Sequence, residues 1–186
     1  DYVSTLWKNR EWIGEQNVDD IKKHHGAFSV KPLKNLRVIS LNTDFWYYVN
    51  VYNYVHSFNP DNSGMLRFLT DELLEAEKNH ERVWIIGHVL SGWDGAEALA
   101  RPSNLFYQIV SRFAPHTVAA IFFGHTHEDE FQIWYESSNG NSTSVSRKTE
   151  DARAMAFIGP SVTPLTNVNP SLRVYEVDPE TYEVMD

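Results

Sequence analysis

The chain has 186 residues, a formal charge of −9, 42% apolar residues, abundant aromatics and no cysteine. That length suits one domain, or a large part of one, with a sizeable core, and the lack of cysteine excludes disulfides and thiolate metal sites, so any metal must take His and oxygen ligands. The acidic balance without Lys/Arg clusters argues against a general nucleic-acid-binding surface, and no run approaches the roughly 20 apolar residues that a bilayer-spanning helix needs.

The chain opens on Asp1-Tyr2-Val3-Ser4, without an initiator Met or an apolar signal segment, so its natural N-terminus is expected elsewhere. Val3, Leu6, Trp7, Arg10 and Ile13 follow helical spacing, which predicts a helix and then a loop up to Lys34. Leu36 to Leu41 is short and rich in branched apolar residues, a buried strand that leaves Asn42 at its end. From Thr43 to Phe58 the aromatics Phe45, Trp46, Tyr47, Tyr48, Tyr52 and Tyr54 crowd together without a clean period, as in a structured loop with helical turns. Ser63 is placed to cap a helix whose Leu66, Leu69, Leu73 and Ala76 share a face and which ends near Asn79-His80.

Arg82 to Ile86 and Val118 to Phe123 read as central strands covered on both faces. Between them, Leu105, Phe106, Ile109, Val110 and Phe113 recur at helical spacing after Pro102-Ser103-Asn104. Strand, loop, helix, strand is an α/β order. Glu130 to Tyr135, Ala154 to Ile158 and Leu172 to Val177 are predicted strands, with Asn139-Gly140 as the turn joining the first two. The polar tract Ser137 to Arg147 is expected to be an exposed excursion whose deletion is tolerated. It holds one N-glycosylation sequon at Asn141.

The chemistry lies where strands end. Ile86 runs into Gly87-His88, and Phe123 runs into Gly124-His125-Thr126-His127. Ligand crevices of open α/β sheets form at the carboxyl ends of strands, and glycine lets the backbone turn and aim an imidazole inward. In extended backbone, residues two apart point to one side, so His125 and His127 are expected to approach one cation or two adjacent ones. A lone His near a strand end is most often a hydrogen-bonded structural residue, but two Gly-His steps after two apolar strands, one continuing as His-x-His, point to metal ligation. His24, His25, His56, His80 and His116 lie in polar or helix-flanking contexts where exposure is the default.

These motifs resemble the calcineurin-like metallophosphoesterase superfamily. Leu36 to Asn42, Gly124-His125-Thr126-His127-Glu128-Asp129-Glu130-Phe131, Gly159 to Pro164 and Arg173-Val174-Tyr175 narrow the resemblance to its acid sphingomyelinase-like phosphodiesterases, particularly fungal forms. The resemblance implies a four-layer α/β sandwich of mixed sheets flanked by helices, incomplete in this chain, with residues 1–186 forming a C-terminal part of the catalytic domain. It implies two zinc ions, or other divalent metals, with His127 on the first and His88 and His125 on the second, and a bridging hydroxide that attacks a phosphodiester. The family's Asp-x-His pair, bridging Asp and Gly-Asn-His segment, which supplies the general-acid His, are not in this sequence and are expected from an upstream part of the same protein. Three neutral His do not saturate two metals, so His88, His125 and His127 are expected to converge on one side of an incomplete site.

Asn42, Trp93, Asp94 and Thr163 are candidate substrate-lining residues, and Trp46, Tyr47 and Tyr48 a candidate aromatic wall, against an equal reading as ordinary packing. Asp129 and Glu130 are placed either to orient the ligands from behind or to solvate the surface. The implied activity is phosphodiester hydrolysis of a lipid or a nucleotide by a protein that is secreted or lysosome/vacuole-like. The alternatives are a non-catalytic phosphoester-binding module on the same fold and a mononuclear three-His zinc site.

Overall fold

The computed structural model describes residues 2–92, 98–135 and 148–185. Its frame is a six-stranded mixed sheet in the order β1-β2-β3-β4-β6-β5. The strands are β1 (Phe28–Leu33), β2 (Leu36–Ser40), β3 (Arg82–Ile86), β4 (Val118–Phe123), β5 (Glu130–Tyr135) and β6 (Ala152–Ile158). Helices α1 (Tyr2–Asn9) and α2 (Val18–Lys23) precede the sheet, while α3 (Met65–Lys78) connects β2 to β3 and α4 (Ala100–Phe113) connects β3 to β4. β2, β3, β4 and β6 run parallel, and β1 and β5 close the two edges antiparallel.

The two crossovers step the same way across the sheet, so the right-handed rule puts α3 and α4 on one face. The buried residues follow. Leu66, Leu69, Leu73 and Ala76 of α3, with Phe106 and Val110 of α4, meet Ile39, Val83, Ile85, Ile121, Ala156 and Ile158 in one core. On that same face Arg37 is buried and ion-paired with Glu72 of α3 at 2.6 Å and with Glu81 at 2.8 Å.

The α3 start differs from expectation in one detail. Ser63 Oγ accepts the Met65 amide, but the Asp61 carboxylate takes the next two, from Leu66 and Arg67, each at 2.9 Å. Gly64 between them sits at φ +68°, a left-handed turn that favours glycine. α4 begins at Ala100, before the expected Pro102-Ser103-Asn104 signal. Pro102 lies in its first turn, where an amide has no partner within the helix to lose.

Three expectations are corrected. The stretch up to Lys34 contains a strand, β1, rather than only helix and loop. Its Lys31 and Pro32 mask the signal, yet proline is tolerated on an edge strand, and the register with β2 shifts between Val30 and Leu33. α1 also stops at Asn9, short of Arg10 and Ile13, and leaves Val3 and Leu6 exposed.

Second, β3 and β4 are central, but among the described residues helices cover them on one face only, through α3 and α4. On the opposite face Trp84, Ile86 and Phe122 are half-buried, covered by single side chains such as Tyr175 and Tyr182. Third, Leu172 to Val177 is not a strand; Val177 makes only an isolated bridge to Val184. Its alternation arises because Tyr175 packs on Phe122 and Phe157 while Leu172 and Val174 face outward. One-sided packing on a sheet face gives the same period as ladder pairing. The Asn139-Gly140 turn, the Ser137 to Arg147 tract and Asn141 lie outside the described residues, and β5 and β6 pair antiparallel on either side of them.

Candidate metal centre

Because β2, β3, β4 and β6 are parallel, their carboxyl ends share one edge of the sheet. Each runs on into a loop that the ladder continues to hold. Leu41 donates its amide to the Ile86 carbonyl, Gly87 to Phe122, Gly124 to His88 and Gly159 to Phe123. The residues that follow, Thr43, His88, His125, His127 and Ser161, are thereby fixed along one rim.

His88 and His125 are brought together, with ring centroids 5.2 Å apart and planes near perpendicular. A Cβ at Gly124 would lie 3.5 Å from the His88 Nδ1, an ordinary contact, so the two rings meet beside this glycine without depending on it. His125 and His127 do not lie in extended backbone, contrary to expectation; they adopt φ of 82° and 69°. The two imidazoles are therefore aimed by a tight left-handed turn, not by strand alternation, a conformation that histidine adopts more readily than most non-glycine residues. The turn is held by the Thr126 amide on the Gly124 carbonyl and by the Ser161 amide on the His127 carbonyl.

Two features suit these rings to a cation. The Nδ1 of His127 is buried and has no hydrogen-bond partner among the described residues, a state that costs free energy unless something else takes the lone pair or proton. His88 is held below its ordinary pKa, first by desolvation and then by the neighbouring His125 and His127, against an opposing pull from Asp44. The neutral imidazole so favoured is the form that binds metal. Among the described residues, however, no group of three or more His, Asp or Glu is arranged to hold a metal ion.

Thr43 carries no marker in the sequence. Its hydroxyl, on a buried residue, accepts the amides of both His88, at 2.9 Å, and Val89, at 2.7 Å. The methyl group of the same side chain lies where a Cβ on Gly87 would be, 2.5 Å from it, so Gly87 is needed for close approach. A contact across 45 residues has no local signature, and only the shared rim reveals it.

The other candidates sort by contact. Trp46 is wholly buried against Phe106 and donates its indole N–H to the Val89 carbonyl, which makes it core and not a wall of the crevice. Tyr47 sets its ring edge-to-face with His125 at 5.1 Å, and Tyr48 is exposed beside it. Asn42 donates its side-chain amide to the His25 carbonyl, tying the end of β2 to the turn after α2. Thr163 is exposed in the loop that carries Ser161, to whose hydroxyl it donates its amide. Asp129 is ion-paired with Arg173 at 2.7 Å, and Glu130 opens β5. Trp93 and Asp94 lie outside the described residues. Of the remaining histidines, His24 is half-buried and stacks on Phe68, while His25, His56, His80 and His116 are exposed.

Comparison with known proteins gives relatives along nearly the whole chain. It is 33% identical over 94% of its length to sphingomyelin phosphodiesterase 1 of Caenorhabditis elegans and 38% identical over 82% to a sphingomyelin phosphodiesterase of Homo sapiens. It is 28% identical over 99% to a cyclic GMP-AMP phosphodiesterase of Homo sapiens. The chain spans 29%, 22% and 40% of these relatives, respectively. No family model matches the chain. A crystal structure of a dimetal phosphatase from Danio rerio shares the fold, with a TM-score of 0.51 and 13% identity, over 73% of this chain and 49% of that one. Sequence relatives and fold together support a place in the metallophosphoesterase superfamily.

Proposed function

We propose that this chain carries part of the catalytic site of a metal-dependent phosphodiesterase, with His88, His125 and His127 as metal ligands. The observation that carries the reading is the rim itself, where His88 lies against His125 and His127 keeps a buried ring nitrogen without a partner. The relatives named as sphingomyelin and cyclic GMP-AMP phosphodiesterases support the reaction class.

Two zinc ions, or other divalent metals, fit a His and oxygen donor set. When bound, such a pair polarises a phosphoryl oxygen and supplies a water nucleophile at neutral pH. The chain's own residues then have distinct tasks. Thr43 fixes the His88 backbone, Gly87 allows the close approach of Thr43, and Tyr47 limits the free rotation of His125. The remaining ligands and the group that protonates the leaving oxygen are assigned to parts of the protein outside these residues, in line with a four-layer sandwich of which this chain forms one sheet and its helices.

A sphingomyelin-like phosphodiester is the favoured substrate, with a nucleotide as the second reading, since relatives of both names match. Secretion or a lysosome-like compartment, and a glycan on Asn141, belong to the same proposal. The test uses the intact protein. Chelation should abolish hydrolysis of bis(p-nitrophenyl) phosphate and of sphingomyelin, and added zinc should restore both. Undiminished activity after complete metal removal would reject the reading.

A further inference from the structure

The turn that carries His125 and His127 leaves the sheet at Gly124 and returns to it at Glu130, where β5 pairs with β6. Its first half is pinned by the backbone, since Gly124 donates to the His88 carbonyl at 3.0 Å and Thr126 to the Gly124 carbonyl at 3.1 Å. Its second half has longer ties. The Ser161 amide reaches the His127 carbonyl at 3.3 Å, and the Glu128 amide reaches the Thr126 hydroxyl at 3.4 Å, both at the long end of hydrogen bonding. The imidazole of His127 gains no hold at its Nδ1, which has no partner among the described residues. On that side the direction of the ring is set by its backbone.

A shorter contact grips that second half. Asp129, two residues beyond His127, accepts a charge-assisted hydrogen bond from the Arg173 Nη1 at 2.7 Å. The guanidinium is itself seated on a platform, over the Tyr175 ring at 5.2 Å and the Phe157 ring at 5.9 Å. Tyr175 packs in turn on Phe122 of β4, at 5.4 Å, and on Phe157 of β6, at 5.2 Å. Stacking on aromatic faces orients a planar guanidinium and leaves its N–H fork aimed outward. The segment that carries Arg173 also carries Ser161, and the Ser171 amide closes it on the Ser161 carbonyl at 2.9 Å. One segment, anchored on the sheet, therefore holds the histidine turn twice, at His127 and two residues beyond it.

We propose that Arg173 and Asp129 are a positioning pair: by fixing the exit of the turn against the sheet, they hold the His127 imidazole in the direction from which it ligates metal. The proposal rests on the metal reading of His127 and adds the group that sets its aim. Two other roles for the pair have different consequences. If the pair acted through charge alone, loss of the Arg173 cation would leave the Asp129 carboxylate unopposed and tighten the binding of a metal cation, while loss of the carboxylate would loosen it. If Arg173 touched the substrate, its loss would lower hydrolysis and leave metal affinity unchanged. A positioning pair loosens metal in both single variants, because either change frees the turn.

The experiment titrates the intact protein, stripped of metal by chelation, with Co2+ and follows the visible absorption of the bound ion. The native sequence is compared with Asp129→Asn, Arg173→Gln and the double variant. Each single variant should raise the apparent dissociation constant about tenfold, the low end of what loss of a supporting partner costs a metal site. The double variant should cost no more than either single one, since the second partner has nothing left to hold. Urea unfolding of the metal-free forms reports that each variant is folded, and the two single variants test the pair independently. Unchanged cobalt affinity in either folded single variant, tighter binding by Arg173→Gln, or additive losses in the double variant would each overturn the proposal while leaving the metal reading in place. A native protein that binds no cobalt and still hydrolyses bis(p-nitrophenyl) phosphate after complete metal removal would instead reject the metal reading, and the positioning pair with it.

Discussion

Thr43→Val removes one oxygen and almost nothing else. The side chain keeps its branching and volume, but the buried acceptor of the His88 and Val89 amides, at 2.9 and 2.7 Å, is lost. Val89 is 1% exposed, so water cannot replace the partner at that amide, whereas the His88 amide is only partly buried. An unsatisfied buried donor costs about 1–3 kcal/mol, and the half-buried second one less, so the sum is about 2–4 kcal/mol. For a folding unit of roughly 150–250 residues that corresponds to a fall in Tm of roughly 4–16 °C, and for a larger cooperative unit to less. Because the loosened segment carries His88, activity should fall further than stability at a temperature where the variant is folded. Thr43→Ser keeps the hydroxyl and should restore most of both. The assay is thermal and urea unfolding of the intact protein alongside hydrolysis of bis(p-nitrophenyl) phosphate. A Thr43→Val variant with unaltered Tm and activity would refute the claim that this hydroxyl holds the rim.

Gly87→Ala places a methyl group 2.5 Å from the Thr43 methyl and 3.2 Å from the Phe123 ring, so overpacking should cost about 1–3 kcal/mol and misplace His88; unfolding midpoints and activity check it. Glu81→Gln weakens the buried pairing with Arg37, which retains Glu72, and should destabilise by about 1–3 kcal/mol in urea unfolding. Burial pushes the Glu81 carboxyl up, but hydrogen bonds from Lys31 and Arg37 and their charges outweigh it and hold it below its ordinary value of 4.5. A depressed native pKa means that the stabilisation is present above the unfolded value and is lost as pH falls through the native one. The difference in stability between native protein and Glu81→Gln should therefore shrink below pH 4.5, and a gap that stays constant to lower pH would contradict that assignment.

How much of this the sequence disclosed depends on whether a signal was local. The strands at Leu36, Arg82 and Val118 and the α3 face of Leu66, Leu69, Leu73 and Ala76 were legible, because burial on one stripe or in a sheet centre leaves a short-range pattern. β1 was not, because an edge strand admits Lys31 and Pro32. Leu172 to Val177 misled for the opposite reason, since alternation records which side chains are covered and not whether the backbone pairs.

In the site, Gly-His after an apolar strand marked His88, His125 and His127 as rim residues. The left-handed backbone at His125 and His127 had no such marker, since glycine and asparagine are the residues that announce it. Thr43 and Asn53 were silent as well, their partners being fixed only when separate strands end on one edge. Trp46 shows the converse: its place among exposed aromatics suggested a crevice wall, while Phe106 and the Val89 carbonyl draw it into the core.

We propose that His88, His125 and His127 bind metal in a phosphodiesterase. The direct test is the metal content of the intact protein by elemental analysis, for the native sequence and for His88→Ala, His125→Ala and His127→Ala, with hydrolysis measured on the same samples. About two divalent ions are expected per native molecule, as a two-metal site requires, with fewer bound and hydrolysis nearly abolished in each folded variant. Full metal content and native activity in any one variant would contradict the role given to that histidine, and the same result in all three would exclude the rim as a metal site.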